Sequence, residues 1–346
     1  MHTAAYLGNR TVGLIDFEST DPSAGEVRVR VAYVGLCGTD LHVAHGDMDR
    51  RVRTPLVFGH EMSGTVESLG EGVLGWAPGD KVTVMPLVWD GSCPACLAGN
   101  SHICQHLTFL GIDSPGALQE LWNVPASTLV PVPAVTELRE AALIEPVAVA
   151  VHDVRRGRVA AGDRVVVLGG GPIGTLIASV AATFGAVVAV VEPDAHRRGL
   201  VQSLGFSTPD PDTTDIAAWV EEWTAGAGAD VVFEVSGAAA AVATSTALAK
   251  VRGTIVVVAI HSAPRAVDLQ RVFWRELTVI GARVYERADF EAAAEVISTG
   301  AVPTASLITR VVPLSEIQTA LDDLEGGRAM KILVDVQAGQ TQGVPA

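Results

Sequence analysis

Polar and apolar side chains alternate along residues 26–34, the period-two pattern of a strand with one buried face. The first 150 residues continue in this way. Short apolar stretches are punctuated by turn signals such as Leu69-Gly70-Glu71-Gly72 and Pro78-Gly79-Asp80, which predicts a mostly β region resembling a small barrel. The pattern changes near Arg164. Residues 165–168 form an unbroken apolar run suited to a strand buried on both faces, residues 172–184 are small and apolar, and residues 187–191 form a second such run. Further on, the pattern is helical over 216–223, strand-like over 230–235, helical and alanine-rich from Ala238, and strand-like over 254–259. Strands alternating with helices predict βαβ units and a parallel sheet. Beyond Tyr285, two helical stretches flank residues 307–312, residues 331–336 close as a strand, and a frayed tail is predicted from Gln337. Residues 165–191 carry no charge over 27 positions, enough to span a bilayer. Gly169-Gly170-Gly171-Pro172 and Gly185 divide that run into strand, helix and strand, so it reads as a soluble buried unit without membrane partnership.

At roughly 100–200 residues per domain, 346 residues suggest two or three domains, and the 49% of hydrophobic residues can fill a sizeable core. With 24 basic against 39 acidic side chains the net charge is −15, which argues against nucleic acid or an anionic membrane as partner. The beginning of the chain lacks the basic end and long apolar stretch of a signal peptide, so a reducing cytoplasm is expected. In that setting the four cysteines, Cys37, Cys93, Cys96 and Cys104, raise the question of metal rather than of disulfides.

Gly169-Gly170-Gly171-Pro172-Ile173-Gly174 fits G-x-G-x-x-G, a weak signal alone in a chain with 35 glycines. A buried strand precedes it, a helix follows it, and Glu192 ends the next predicted strand 23 residues after Gly169. In that context Gly169 allows a tight turn, Gly171 lets the backbone approach a pyrophosphate, and Gly174 lets helix and strand pack closely. The pyrophosphate would rest on free N–H groups at the helix start. Glu192 is placed to accept from the adenosine ribose hydroxyls and would repel a 2′-phosphate, so NAD is expected rather than NADP. Arg197 is a candidate neighbour of the adenine or an ordinary exposed helix charge.

Asp90, Cys93, Cys96 and Cys104 place ligand types in one short loop. The C-x₂-C-x₇-C spacing lets the chain wrap a tetrahedral ion. Free thiols are the alternative, and His102 a substitute ligand. A second set is dispersed: Cys37-Gly38-Thr39-Asp40-Leu41-His42 after a predicted strand, Gly59-His60-Glu61 22 residues after Cys37, and Glu145-Pro146 much later. A thiolate, an imidazole and one or two carboxylates leave room for an exchangeable water, the mark of a catalytic rather than structural zinc site. His60 and Glu61 are adjacent, and on a regular strand they would face opposite ways. They can share an ion only if the backbone turns, which Gly59 makes easier.

Together these stretches, with Glu145 to Arg156, resemble the zinc-dependent medium-chain dehydrogenase/reductase family and its sorbitol (polyol) dehydrogenase-like branch. The resemblance implies a GroES-like β-barrel catalytic domain over 1–151 with a structural-zinc lobe at 88–106. It further implies a doubly wound Rossmann domain over 152–285, and a C-terminal part, 286–346, that returns to the barrel. The family's first lobe cysteine falls on Asp90. The resemblance assigns Cys37 and His60 to a catalytic zinc; Glu61 is expected as the resting third ligand, and Glu145 as a ligand, a water-holder or an ordinary helix-start residue. The alcohol proton is then expected to leave through Thr39 and His42 while hydride passes to NAD, with a merely packed His42 as the alternative. The implied function is oxidation of a secondary alcohol of a polyol or sugar-derived substrate to the ketone, by a homotetramer or homodimer. The Glu145-Pro146 form favours polyols over threonine. The alternatives are a diol or amino-alcohol dehydrogenase, including one for threonine, and an NAD-binding regulator without catalysis.

Overall fold

The computed structural model describes residues 2–16, 19–327 and 329–338. The chain forms two compact units, one of residues 1–145, 286–300 and 304–346 and one of 146–285 and 301–303. The division at 145/146 lies near the start of the helix Ile144–Arg156, whereas the boundary expected at 151/152 lies well inside it.

In the first unit the central element is the strand Glu26–Leu36, whose alternating Val27, Val29 and Val31 are fully buried. Each such valine contributes about 1.5–3 kcal/mol by leaving water. This strand pairs antiparallel with Glu61–Leu69, with Leu121–Pro125 and with the C-terminal strand Lys331–Asp335. The seven-stranded sheet continues on one side through Lys81–Val84 to Leu129–Pro131 and on the other to Ile308–Pro313. Residues near the end of the chain thus complete a GroES-like barrel begun near its start. Gln337 departs from the predicted fraying: its side-chain amide donates to Val31 O at 2.7 Å. The rest of the predicted tail, from residue 339, lies outside the described residues.

The second unit is a five-stranded, wholly parallel sheet of Rossmann type. Its order is Val187–Val191, Arg164–Leu168, Ala229–Glu234, Ala249–Val257, Thr278–Gly281. Val165, Val166, Val167, Val190 and Val232 are fully buried, as expected where helices cover both faces of a sheet. Among the described residues no helix is long and apolar enough to cross a membrane.

Candidate metal centres and dinucleotide pocket

The strand Glu26–Leu36 delivers Cys37 to the N-cap of the helix Gly38–Ala44. The backbone N–H of Cys37 donates to Asp40 Oδ2 at 2.9 Å, and the Cys37 side chain accepts from the Asp40 backbone in return, a capping box that fixes the thiol's direction. Gly59 has φ +90°, a left-handed turn in which a Cβ would press on Leu118 and Val34 at 3.0 Å. The turn leaves His60 just outside the strand that begins at Glu61, so the two adjacent side chains converge despite strand alternation. Sγ of Cys37 lies 3.4 Å from Nε2 of His60. Donor atoms of Cys37, His60 and Glu61 all lie within 4.8 Å of one another. Gly35 stands opposite Glu61 in the adjoining strand, and a Cβ there would collide with the Glu61 carboxylate.

Two titratable groups to which the sequence reading gave no role, Lys331 and Asp40, complete this centre. Lys331, 2% exposed, donates from Nζ to both Glu61 oxygens at 2.6 and 2.8 Å and to Leu36 O at 3.1 Å. Burial works against its charge, but Glu61 foremost and then Cys37 outweigh it, so the ammonium is held even more firmly than in water. Asp40 Oδ1 lies 3.8 Å from Nδ1 of His60, which is buried with no hydrogen-bond partner. Burial, and then Asp40, push the Cys37 thiol above its ordinary range, so a cation binding there displaces a proton. One soft thiolate, one imidazole and one carboxylate fit a tetrahedral zinc with an open position. Glu145 is buried but falls outside this donor set; its charge acts on His60 and Lys331. Thr39 is half-buried two residues after Cys37, and His42 is exposed, with Nδ1 2.9 Å from Asp47 Oδ2.

The loop brings Asp90, Cys93, Cys96 and Cys104 together with donor atoms within 4.8 Å, and Cys93 and Cys104 sulfurs 3.8 Å apart. Backbone N–H groups of Gln105 and Cys96 hold the Cys93 thiol down to about 7, while burial and competition with Cys93 push Cys96 up to about 11. Oδ1 of Asp90 accepts from the N–H of Ser92 and of Cys93 at 2.8 and 2.9 Å, and Oδ2 lies 2.5 Å from Nδ1 of His106. His106 was not visible in the ligand spacing because it lies beyond the last cysteine. His102 is buried outside the donor set, 4.0 Å from Glu286. Three thiols and a carboxylate fit a closed, four-coordinate zinc.

In the second unit, Gly169 has φ +114°, and a Cβ on Gly174 would collide with Gly169 O, so the predicted turn and close packing both require glycine. Gly171 caps the helix Pro172–Thr183. Glu192, buried, accepts from Gly170 N–H at 2.7 Å through Oε2 and from Asp194 N–H at 2.8 Å through Oε1. Gly169, Gly171, Pro172, Ile173, Gly174, Glu192 and Arg197 line a cavity of about 890 Å³ with Asp212, Val235, Ser236 and Thr244. That volume suits a nucleotide-sized ligand.

The alcohol dehydrogenase GroES-like domain model matches residues 23–134, and the zinc-binding dehydrogenase model matches residues 172–299. The chain therefore belongs to the zinc-dependent medium-chain dehydrogenase family, a family of oxidoreductases. It is 50% identical over 341 residues to the 2-dehydro-3-deoxy-L-galactonate 5-dehydrogenase of Pseudoalteromonas atlantica, covering 98% of this chain and 100% of that one. It is 33% identical to the sorbitol dehydrogenase of Halalkalibacterium halodurans, covering 92% and 94%. The crystal structure of a candidate zinc-binding dehydrogenase from Sinorhizobium meliloti bound to NADP matches with TM-score 0.91 and 30% identity, over 96% and 98% of the two chains.

Proposed function

We propose that the protein oxidises a secondary alcohol of a polyol or sugar-derived acid to the ketone, with NAD as acceptor and zinc in the first unit. The observation that carries this reading is the convergence of Cys37 and the adjacent pair His60-Glu61, from two segments of the chain, into one donor set with a buried imidazole and carboxylate. A chain with no metal chemistry has no need to hold a half-buried thiol this close to a buried imidazole and a buried carboxylate. Cys37, His60 and Glu61 would hold the catalytic ion, and Asp90, Cys93, Cys96 and Cys104 a structural one. Once bound, zinc supplies Lewis-acid polarisation of the substrate hydroxyl and NAD supplies the hydride acceptor. Thr39 Oγ1 accepts the hydroxyl proton and donates its own onward. His42, fixed at Nδ1 by Asp47, passes the proton from its exposed ring to solvent. Lys331 keeps the Glu61 carboxylate aimed, and Asp40 supports His60 from behind. Glu145 holds water near the centre.

Glu192 supports NAD over NADP: its carboxylate is pinned beside the fingerprint by two backbone N–H groups and would meet a 2′-phosphate with like charge. Identity to a sugar-acid dehydrogenase along the full length of the chain supports a sugar-derived substrate over threonine or a simple diol. A homo-oligomer, dimer or tetramer, is supported by Leu269, Phe273 and Trp274, each more than 70% exposed on one short helix beside the edge strand Thr278–Gly281. Four free thiols fit the cytoplasm.

The deciding experiment measures metal content of purified protein together with NADH formation over sugar acids, polyols, diols and threonine, with NADP as control. Two zinc ions per chain and turnover of a sugar-derived alcohol are expected. A metal-free preparation that binds NAD but turns over nothing even after zinc is supplied would favour the regulator reading instead.

A further inference from the structure

The cysteine lobe pairs two of its thiols more closely than metal binding alone asks of a loop with a carboxylate at its fourth corner. The sulfurs of Cys93 and Cys104 lie 3.8 Å apart, and both residues are 5% exposed. Backbone N–H groups hold each sulfur in place: those of Cys96 and Gln105 donate to Cys93 Sγ at 3.5 Å, and that of His106 to Cys104 Sγ at 3.3 Å. A disulfide needs its sulfurs at about 2.05 Å, a remaining gap that rotation of the two side chains can close. Cys37 has no such neighbour: its companions in the other donor set are His60 and Glu61.

Asp90 is the corner at which the lobe opens. A carboxylate oxygen is a harder donor than sulfur and the poorer match to an ion held by three thiolates. Its side chain is 24% exposed, while the three cysteines are buried or half-buried. Asp90 Oδ1 accepts from the N–H of Ser92 and of Cys93, so the carboxylate is tied to Cys93 itself. Those N–H groups still satisfy Asp90 when its bond to an ion breaks, whereas a fourth thiolate would be left bare. A small solute that enters past Asp90 therefore meets Cys93 first, with Cys104 next to it. An accessible thiolate beside a second thiol that can resolve it is the arrangement of redox-sensing cysteines.

Resting on the reading of the lobe as a zinc site, we propose that Cys93 and Cys104 form a peroxide-reactive dithiol gated by Asp90, and that their oxidation to a disulfide empties the lobe of its ion. The Cys93 thiolate attacks the O–O bond of a peroxide and becomes a sulfenic acid, and the other oxygen leaves as water after taking up a proton. The Cys104 thiolate then attacks the Cys93 sulfur. The S–S bond forms, the S–O bond breaks, and the second oxygen leaves as water with another proton. Two thiolates, one hydrogen peroxide and two protons thus give one disulfide and two waters; the sulfurs lose two electrons and the peroxide gains them. Cys96 and Asp90 remain, two donors where a closed zinc site needs four.

The test treats zinc-loaded full-length protein with hydrogen peroxide, following zinc with a chromogenic chelator and the thiols by mass spectrometry. One ion per chain should be released, the chain should lose the mass of two hydrogens, and peptide mapping should join Cys93 to Cys104. A dithiol reductant with added zinc should restore the ion. Asp90→Cys closes the open corner with a fourth sulfur and should slow release roughly tenfold or more, the lower end of the change seen when one support of a bound metal is altered. Cys37→Ser, which lacks the thiol of the other centre, should release the ion of its lobe at the wild-type rate. Equal release rates in wild type and Asp90→Cys, release of both ions or of neither, or oxidation that yields sulfonic acids without the Cys93–Cys104 bond, overturns the proposal. Untreated protein whose lobe gives up no zinc even when a mercurial reagent blocks its thiols overturns the structural-zinc reading and this inference with it.

Discussion

Cys37 meets partners drawn from almost the whole length of the chain, whereas Cys93 finds its partners within eleven residues. The first centre is assembled by strand register. Glu61 faces Gly35 across one strand pair, and Lys331 comes from a segment 270 residues beyond Glu61. The second is assembled by a loop whose turns bring the donors round locally. Their electrostatics differ accordingly. Beside Cys37 the buried carboxylate of Glu61 is paired with the buried ammonium of Lys331, so removal of either leaves its partner stranded in a medium that solvates it poorly. Around Cys93 the carboxylate of Asp90 is within reach of water and is held by backbone N–H groups and an exposed imidazole. The first centre should therefore be tied to folding and turnover, and the second to local order.

The comparison is tested most severely at Cys37. Cys37→Ser removes the soft donor at the open site, and turnover is expected to fall by at least ~10³-fold, since metal polarisation contributes several kcal/mol to such a reaction. Zinc content should drop from two to one per chain while the lobe keeps its ion. Loss of both ions together would mean that the two centres are not independent.

Next in size is Lys331→Met. In metal-free protein the variant strands the Glu61 carboxylate among buried groups, and breaking a buried pair from one side costs about 3–5 kcal/mol. The denaturation midpoint in urea should fall accordingly, and Lys331→Met combined with Glu61→Gln should recover much of the loss because no unpaired charge remains. If the single variant is as stable as wild type, Lys331 does not carry the charge balance of this site.

The same contrast explains what the sequence made legible. The lobe could be read from C-x₂-C-x₇-C because its geometry depends on neighbours in the chain, and Asp90 did fall among the donors. The fingerprint was legible for the same reason: Gly169, Gly174 and Glu192 act within one strand–helix–strand unit. The adjacency of His60 and Glu61 posed a problem that Gly59 resolved as anticipated, through a positive φ. Lys331 was not legible as a site residue. Nothing local distinguishes it from a surface lysine, and its role exists only because Lys331–Asp335 pairs with Glu26–Leu36, which in turn pairs with Glu61–Leu69. His106 escaped for a smaller reason, lying two residues outside the cysteine frame.

At the lobe, smaller effects are expected because its supports are local and partly solvated. Asp90→Cys replaces an oxygen donor by the softer sulfur and should hold zinc more tightly against a chelator. His106→Ala removes the group that orients the Asp90 carboxylate and should weaken zinc roughly 10–100-fold, the usual consequence of losing an outer partner of a ligand. Neither variant should change turnover as Cys37→Ser does. If His106→Ala reduces turnover to a comparable degree, the lobe is coupled to the chemistry.

The smallest effect concerns pH in metal-free protein. The backbone N–H of Cys93, then the His106 imidazole, hold the Asp90 carboxyl well below its usual range, and Asp90 raises His106 above its own. A depressed carboxyl stabilises the folded lobe fully above its unfolded value, about 3.9, and the support is lost as pH falls through the folded value. A raised imidazole stabilises fully below about 6.5, and that support is lost as pH rises past the folded value. Both contributions are therefore present near pH 5.5, and the second is gone at pH 9. Hydrogen exchange of residues 90–106 in chelator-treated protein should show a larger wild-type advantage over His106→Ala at pH 5.5 than at pH 9. Comparing the two proteins at each pH cancels the intrinsic exchange rate. Equal advantages at both values would mean that His106 supports the lobe by its hydrogen bond alone, without its charge.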